Sequence, residues 1–194
     1  ILFMALTILG TGSLMAQNSV WTLDKAHSSI GFSVRHMVIS EVTGNFKDFD
    51  ISFTSSKDDY SDAAVDVSIK VASVNTDNER RDGHLKTDDF FNAEKFPQIK
   101  FKSTLFEKVG ENKYKIAGDL TIRGVTRRVI LHVESLTPEI KDPTGFLRRG
   151  ASARTRIERK DFGLTWNAVL ESGGFVVGDD VEITIDVELV RKAE

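Results

Sequence analysis

Four histidines, no cysteine and an interspersed set of acids decide what chemistry the 194 residues could support. His27 stands beside Ser28 and three residues after Asp24. A serine nucleophile needs a base at hydrogen-bond distance and a third group that orients it. Adjacency in sequence does not supply that geometry, and His27 reads more readily as a turn-fixing residue. Gly-x-Ser-x-Gly is absent. Asp161, in KDFGL, lacks the glycine-rich phosphate loop and His-Arg-Asp of a phosphotransferase; with Gly163 it is expected to shape a turn that inserts Phe162. His84 follows Arg80 by four residues with Asp82 close by, but no His-x-x-x-His or Asp-x-Asp-x-Asp-Gly occurs. No metal site is therefore expected. His132, near Glu134, is expected at the surface. The absence of cysteine excludes disulfides, thiolate metal sites and a cysteine nucleophile.

The remaining histidine is the informative one. In HSSIGFSVRHM, Ile30, Phe32 and Val34 fall on one side of an extended chain and Ser29, Gly31, Ser33 and Arg35 on the other. The next position on the apolar side is His36. It is read either as the polar end of an apolar row, placed to meet a head group, or as a structural histidine bonded to a backbone carbonyl. As a general acid or base it would make the chain an enzyme for a lipophilic substrate.

The segments that must position these residues alternate with period two. SVWTLD, SIGFSVRHM, GNFKDFDISFTSS and AAVDVSIKVASV come first. QIKFKSTLFEKV, NKYKIAGDLTIRG, VTRRVILHVESL, RRGASARTRIERK and DDVEITIDVELVRK follow, with turn residues between them. Phe46 is out of step with Phe49, Ile51 and Phe53, which predicts a bulge that curves the sheet. TDNERRDGHLKTDDFF predicts one short helix: Thr76 and Glu79 have capping-box spacing and Gly83 limits it to about two turns. Leu85, Phe90 and Phe91 then offer apolar weight to plug or cover something. The fold class is all-β, an extended antiparallel barrel of about eight strands with one short helical segment, since closure removes the edges that invite aggregation.

Such a barrel is either filled by side chains or holds one small ligand. Ser103, Gly118, Ala151 and Ala153 interrupt the inner rows and would leave room along the axis, unless large residues from facing strands fill the gaps. A filled core, with partners on the outer wall, therefore stands as an alternative.

Twenty-six Lys and Arg against 29 Asp and Glu give a formal charge of −3. The signs are mixed, and no basic stripe points to nucleic acid. The one dense basic stretch, Arg148 to Lys160, puts Arg148, Arg154 and Arg156 on one strand face and Arg149 with Ala151 on the other; the first face is read as solvated and paired with acids, ahead of the alternative that it attracts a pyrophosphate or an anionic membrane. The first sixteen residues, ILFMALTILGTGSLMA, carry no charge and end in small residues. Residues 1–16 are read as a signal-peptide remnant with cleavage after Ala16, ahead of one domain over 17–194. That reading implies secretion.

Four segments in order resemble the YceI-like family of periplasmic lipid-binding proteins: WTLDKAHSSIGFSVRHM followed by GNF, then NERRDGHLKTDDFFNAEKFPQIKF, GDLTIRGVTRRV and ERKDFGLTWN. The resemblance spans Trp21 to Leu189. It departs at Arg127 to Val129, where members often carry Lys-Pro. It implies a lipocalin-like barrel with a long hydrophobic pore that binds a polyisoprenoid or similar amphiphile, with no catalysis and no cofactor. It further implies a periplasmic location, a homodimer, and a role in carriage or storage; transient membrane contact is an expectation beside it. The inward rows then nominate Ile30, Phe32, Val34, His36, Phe46, Phe101, Ile116 and Leu120 as ligand-binding residues.

Overall fold

The structure is a computed structural model that describes residues 19–57, 60–171 and 173–193. The expected leader, residues 1–16, lies outside the described residues.

The first strand, β1 (Ser19–Leu23), runs into β2 (Ser29–His36) through a single 3₁₀ turn, Lys25–His27, started by the Asp24 carboxylate accepting from the Ala26 N–H at 3.0 Å. The third predicted strand is likewise interrupted. It forms β3 (Ser40–Phe46) and β4 (Phe49–Ser55), separated by Lys47 and Asp48. Phe46 and Phe49 are both buried, so the irregularity read from their spacing is a break that keeps both rings inward. Next come β5 (Ala64–Lys70) and β6 (Val74–Asn75), again separated by a 3₁₀ turn, Val71–Ser73. The breaks lie side by side. The Lys47 N–H donates to the Ser73 carbonyl at 3.1 Å and the Lys70 N–H to that of Asp48 at 2.9 Å, so three adjacent strands turn one corner together.

After the helix α1 (Glu79–Lys86), the strands run unbroken: β7 (Gln98–Gly110), β8 (Lys113–Ile122) and β9 (Val125–Leu136). A short β10 (Ile140–Lys141) precedes β11 (Phe146–Glu158) and β12 (Val177–Lys192). Every pairing is antiparallel. β11 pairs with β12 from Phe146 opposite Lys192 to Glu158 opposite Asp180, and it also meets β9. Counting each broken pair as one strand, eight strands close into a barrel, as the alternation predicts. The seam between β9 and β11 is only partly zipped: pairing ends at His132 opposite Arg154.

α1 has the predicted two turns, but its cap differs. The Asn78 side chain, not that of Thr76, accepts the Arg81 N–H at 3.0 Å. Thr76 is engaged elsewhere: its N–H and hydroxyl both donate to the buried Asp82 carboxylate, at 2.9 and 2.5 Å. The Arg81 guanidinium donates back to Thr76 Oγ1 and to its carbonyl, each at 2.7 Å. The helix is thus fastened to the strand before it by polar groups, over one end of the barrel.

The interior has two halves. Trp21, Phe53, Phe106, Tyr114, Ile116, Val133 and Leu189 are all at most 8 % exposed and fill the end remote from α1. There the small residues make no void. A Cβ on Gly118 would collide with the tip of the Phe101 ring and stand 2.5 Å from the Lys102 carbonyl oxygen, so the Phe101 ring occupies that space. The Ser103 hydroxyl accepts the Val65 N–H at 2.8 Å. The expectation of room at Gly118 is therefore corrected: facing side chains fill it. The hollow part lies at the other end.

Candidate ligand cavity

Above Phe101 the inward rows of the strands surround a cavity of about 590 Å³, within the roughly 300–1,000 Å³ usual for small-ligand sites. Each strand contributes by its pleat: Ile30, Phe32 and Val34 from β2, Leu120 and Ile122 from β8, Ile183 and Ile185 from β12. Gly44 on β3 makes this packing possible, because a Cβ there would lie 2.5 Å from the tip of the Phe32 ring. Leu85, Phe90 and Phe91 roof the hollow, in the covering position their sequence suggested.

Of the eight residues nominated from sequence, Ile30, Phe32, Val34, His36, Phe46, Phe101 and Leu120 line the cavity. Ile116 does not. It sits two inward positions before Leu120 on β8, buried in the filled half and away from the cavity. How far along an inward row the hollow extends depends on the facing strands.

Polar groups gather at the α1 end. His36 closes the β2 row, opposite Ser40 and Val177, with its side chain on the cavity. Asn78, Arg80, Arg81 and His84 add to the rim. The Nε2 of His84 lies 2.8 Å from Asp89 Oδ2, and its ring stands edge-on to Phe90 and Trp166, with centroids 5.0 and 4.9 Å away. Arg159, 4 % exposed, also reaches the cavity and ties the chain after β11 to β12. Neither Trp166 nor Arg159 was nominated, because only the fold brings the KDFGLTWN segment across the barrel end. Phe162 is 1 % exposed and Gly163 has φ 77°, as the turn reading expected.

Away from the cavity, Asp24, His27 and Glu188 bring potential metal-ligand atoms within 4.8 Å of one another. The Arg148 guanidinium already holds this group. Its Nη1 donates to Asp24 Oδ2 at 2.7 Å and to Glu188 Oε1 at 2.5 Å, and its Nε to Asp142 Oδ2 at 2.7 Å. His27 Nδ1 faces Asp24 at 3.1 Å, while the Ser28 hydroxyl donates to the Asp24 carbonyl. His27 and Ser28 do not form a nucleophile–base pair. The guanidinium, with His27 second, holds the Asp24 carboxyl down to about 2; the guanidinium, with the Thr144 hydroxyl second, holds Asp142 below the usual carboxylate range. Both folded values are depressed, so the stabilisation is complete above the unfolded value near 4 and is lost as pH falls towards 2. Arg148→Met should lower the melting temperature most at pH 6–7, and the gap to the unchanged protein should narrow between pH 4 and 2. A gap independent of pH would show that the ion pairs do not carry the effect.

A closed antiparallel barrel, filled at one end and hollow at the other, with an apolar wall and a polar rim, defines a small-ligand-binding barrel. The YceI-like domain model matches residues 21–189, and the chain belongs to that family. A UPF0312 protein of Photorhabdus laumondii is 40 % identical over 185 residues, covering 95 % of this chain and 92 % of the relative. The crystal structure of the Campylobacter jejuni YceI protein is similar at 38 % identity and TM-score 0.68, covering 89 % of this chain and 98 % of that one. A Saccharophagus degradans domain described as polyisoprenoid-binding shares the fold at 18 % identity and TM-score 0.60, covering 87 % and 97 %.

Proposed function

We propose that this protein binds a long-chain, isoprenoid-like lipid with the tail in the cavity and the head group at the rim, and that it carries or stores that lipid in the periplasm without chemical change. The observation that carries the reading is the segregation within the barrel: an apolar hollow of about 590 Å³ whose polar residues cluster at the α1 end. Burying a methylene contributes about 0.8 kcal/mol, so a few isoprene units offset an association cost of about 4–15 kcal/mol. The polyisoprenoid-binding description of the Saccharophagus degradans domain supports the ligand class. The uncharged N-terminal run supports export. The homodimer implied by the family resemblance, and the expected transient membrane contact, are carried with this reading.

A chain-length series tests it. Prenyl alcohols of increasing length should displace a fluorescent fatty-acid probe with affinity that rises with each unit and levels off once the hollow is full. Affinity independent of length would place the probe outside the cavity.

A further inference from the structure

Two chain tips meet beside the cavity mouth. The turn after β2, Met37 to Ile39, joins the segment formed by residues 168–171 and 173–176 through the Met37 N–H, which donates to the Val176 carbonyl at 2.8 Å. That segment is itself folded back, with Val169 bridged to Phe175 and the Val176 N–H on the Ala168 carbonyl at 3.0 Å. From this joint surface Val38, Ile39, Val169 and Phe175 project with 73, 81, 76 and 52 % of their surface exposed. They are four of the nine large exposed apolar side chains among the described residues. Met37 and Val38 have φ of 49° and 65°, a left-handed backbone that a β-branched residue adopts only under strain. The turn thus holds apolar side chains outward at a conformational cost.

The apolar tips are continuous with the hollow. His36, directly before the turn, and Val176 and Val177, directly after Phe175, all line the cavity. Two cations flank the patch. Lys160 Nζ stands 5.7 Å from the centre of the Phe175 ring, and Arg35, exposed beside His36, reaches the cavity mouth. Each has an acid beside it, Asp179 at 2.8 Å from Lys160 and Glu41 at 3.8 Å from Arg35, so the patch carries little net positive charge.

We propose that Val38, Ile39, Val169 and Phe175 form a lip that inserts into the surface of a lipid bilayer and sets the cavity mouth against it. The proposal rests on the lipid-binding reading. A long-chain lipid is nearly insoluble in water, and an apolar path from bilayer to hollow spares it that passage. A second copy seated on the lip would stopper the mouth instead. Because the flanking charges are paired, apolar insertion supplies the attraction, and neutral bilayers suffice.

The test uses the full chain and neutral phosphatidylcholine vesicles. The unchanged protein should float with the vesicles, with little effect of salt, and should transfer a fluorescent long-chain fatty acid at a rate proportional to vesicle concentration. Ile39→Asp combined with Val169→Asp should reduce flotation at least tenfold and make transfer independent of vesicle concentration, while affinity for the probe in solution stays within twofold. Ile130→Asp, at an exposed apolar position on the β9 wall, should change neither. Equal flotation of the double variant and the unchanged protein would overturn the lip. So would probe binding without any flotation of the unchanged protein, or a lip-dependent dimer that does not bind vesicles. If the unchanged protein binds no probe, the lipid-binding reading fails, and the flotation comparison still decides whether the lip inserts.

Discussion

Replacing Arg159 with methionine should destabilise the protein by about 3–5 kcal/mol, because several backbone carbonyls around a buried guanidinium lose their donor together. The side chain is 4 % exposed. Its Nε donates to the Gly178 carbonyl at 2.7 Å, and Nη1 donates to those of Leu164 and Trp166 at 2.5 and 2.9 Å. Nη2 reaches Asp179 Oδ1 at 3.1 Å. Burial pulls its pKa down against Asp179. Methionine fills much of the same volume but leaves these carbonyls without a donor, at about 1–3 kcal/mol for each that stays buried. Lysine restores the charge without the planar fork, so it should recover only part of the loss. Urea unfolding of the three proteins measures this. A loss below 1 kcal/mol for methionine would mean that water replaces the guanidinium and that the network is not what closes this barrel end.

The second large effect is on binding. Ile183 lies on β12 opposite Phe32 of β2 and Thr155 of β11, and its side chain faces the hollow. Ile183→Trp should occupy the space a ligand tail needs and weaken a long-chain probe at least a hundredfold. The melting temperature should stay the same or rise, because a cavity is filled and no packed neighbour displaced. The same substitution at Ile116 has no hollow to enter. It should cost about 1–3 kcal/mol by overpacking and change affinity little. Equal behaviour of the two variants, in either measurement, would contradict the division of the barrel into filled and hollow halves.

That division marks where the sequence stops being legible. The strands could be read because inward and outward positions alternate and the turn residues sit between them. The outward break at Lys47–Asp48 showed as one residue too many between Phe46 and Phe49. Gly118 looked like room, yet Phe101 on the neighbouring strand fills it, a pairing no local pattern encodes. Ile116 and Leu120 have the same periodicity and opposite surroundings, since one faces the filled end and the other the hollow. Thr76 had cap spacing, but Asp82 six residues on competes for it successfully. Arg159, Trp166 and His84 reach the cavity only after the barrel closes. Seven of the eight nominated residues lie along its wall because a strand face can be read from its own alternation.

The most direct measurement is organic extraction of the purified, folded protein followed by mass spectrometry of the extract, compared with Ile183→Trp prepared in parallel. The unchanged protein should release a long, narrow lipid at close to one molecule per chain, and the variant should release little of it. Equal amounts from both, or no lipid from a protein that also fails to bind added prenyl alcohols, would contradict a cavity built to hold a lipid tail.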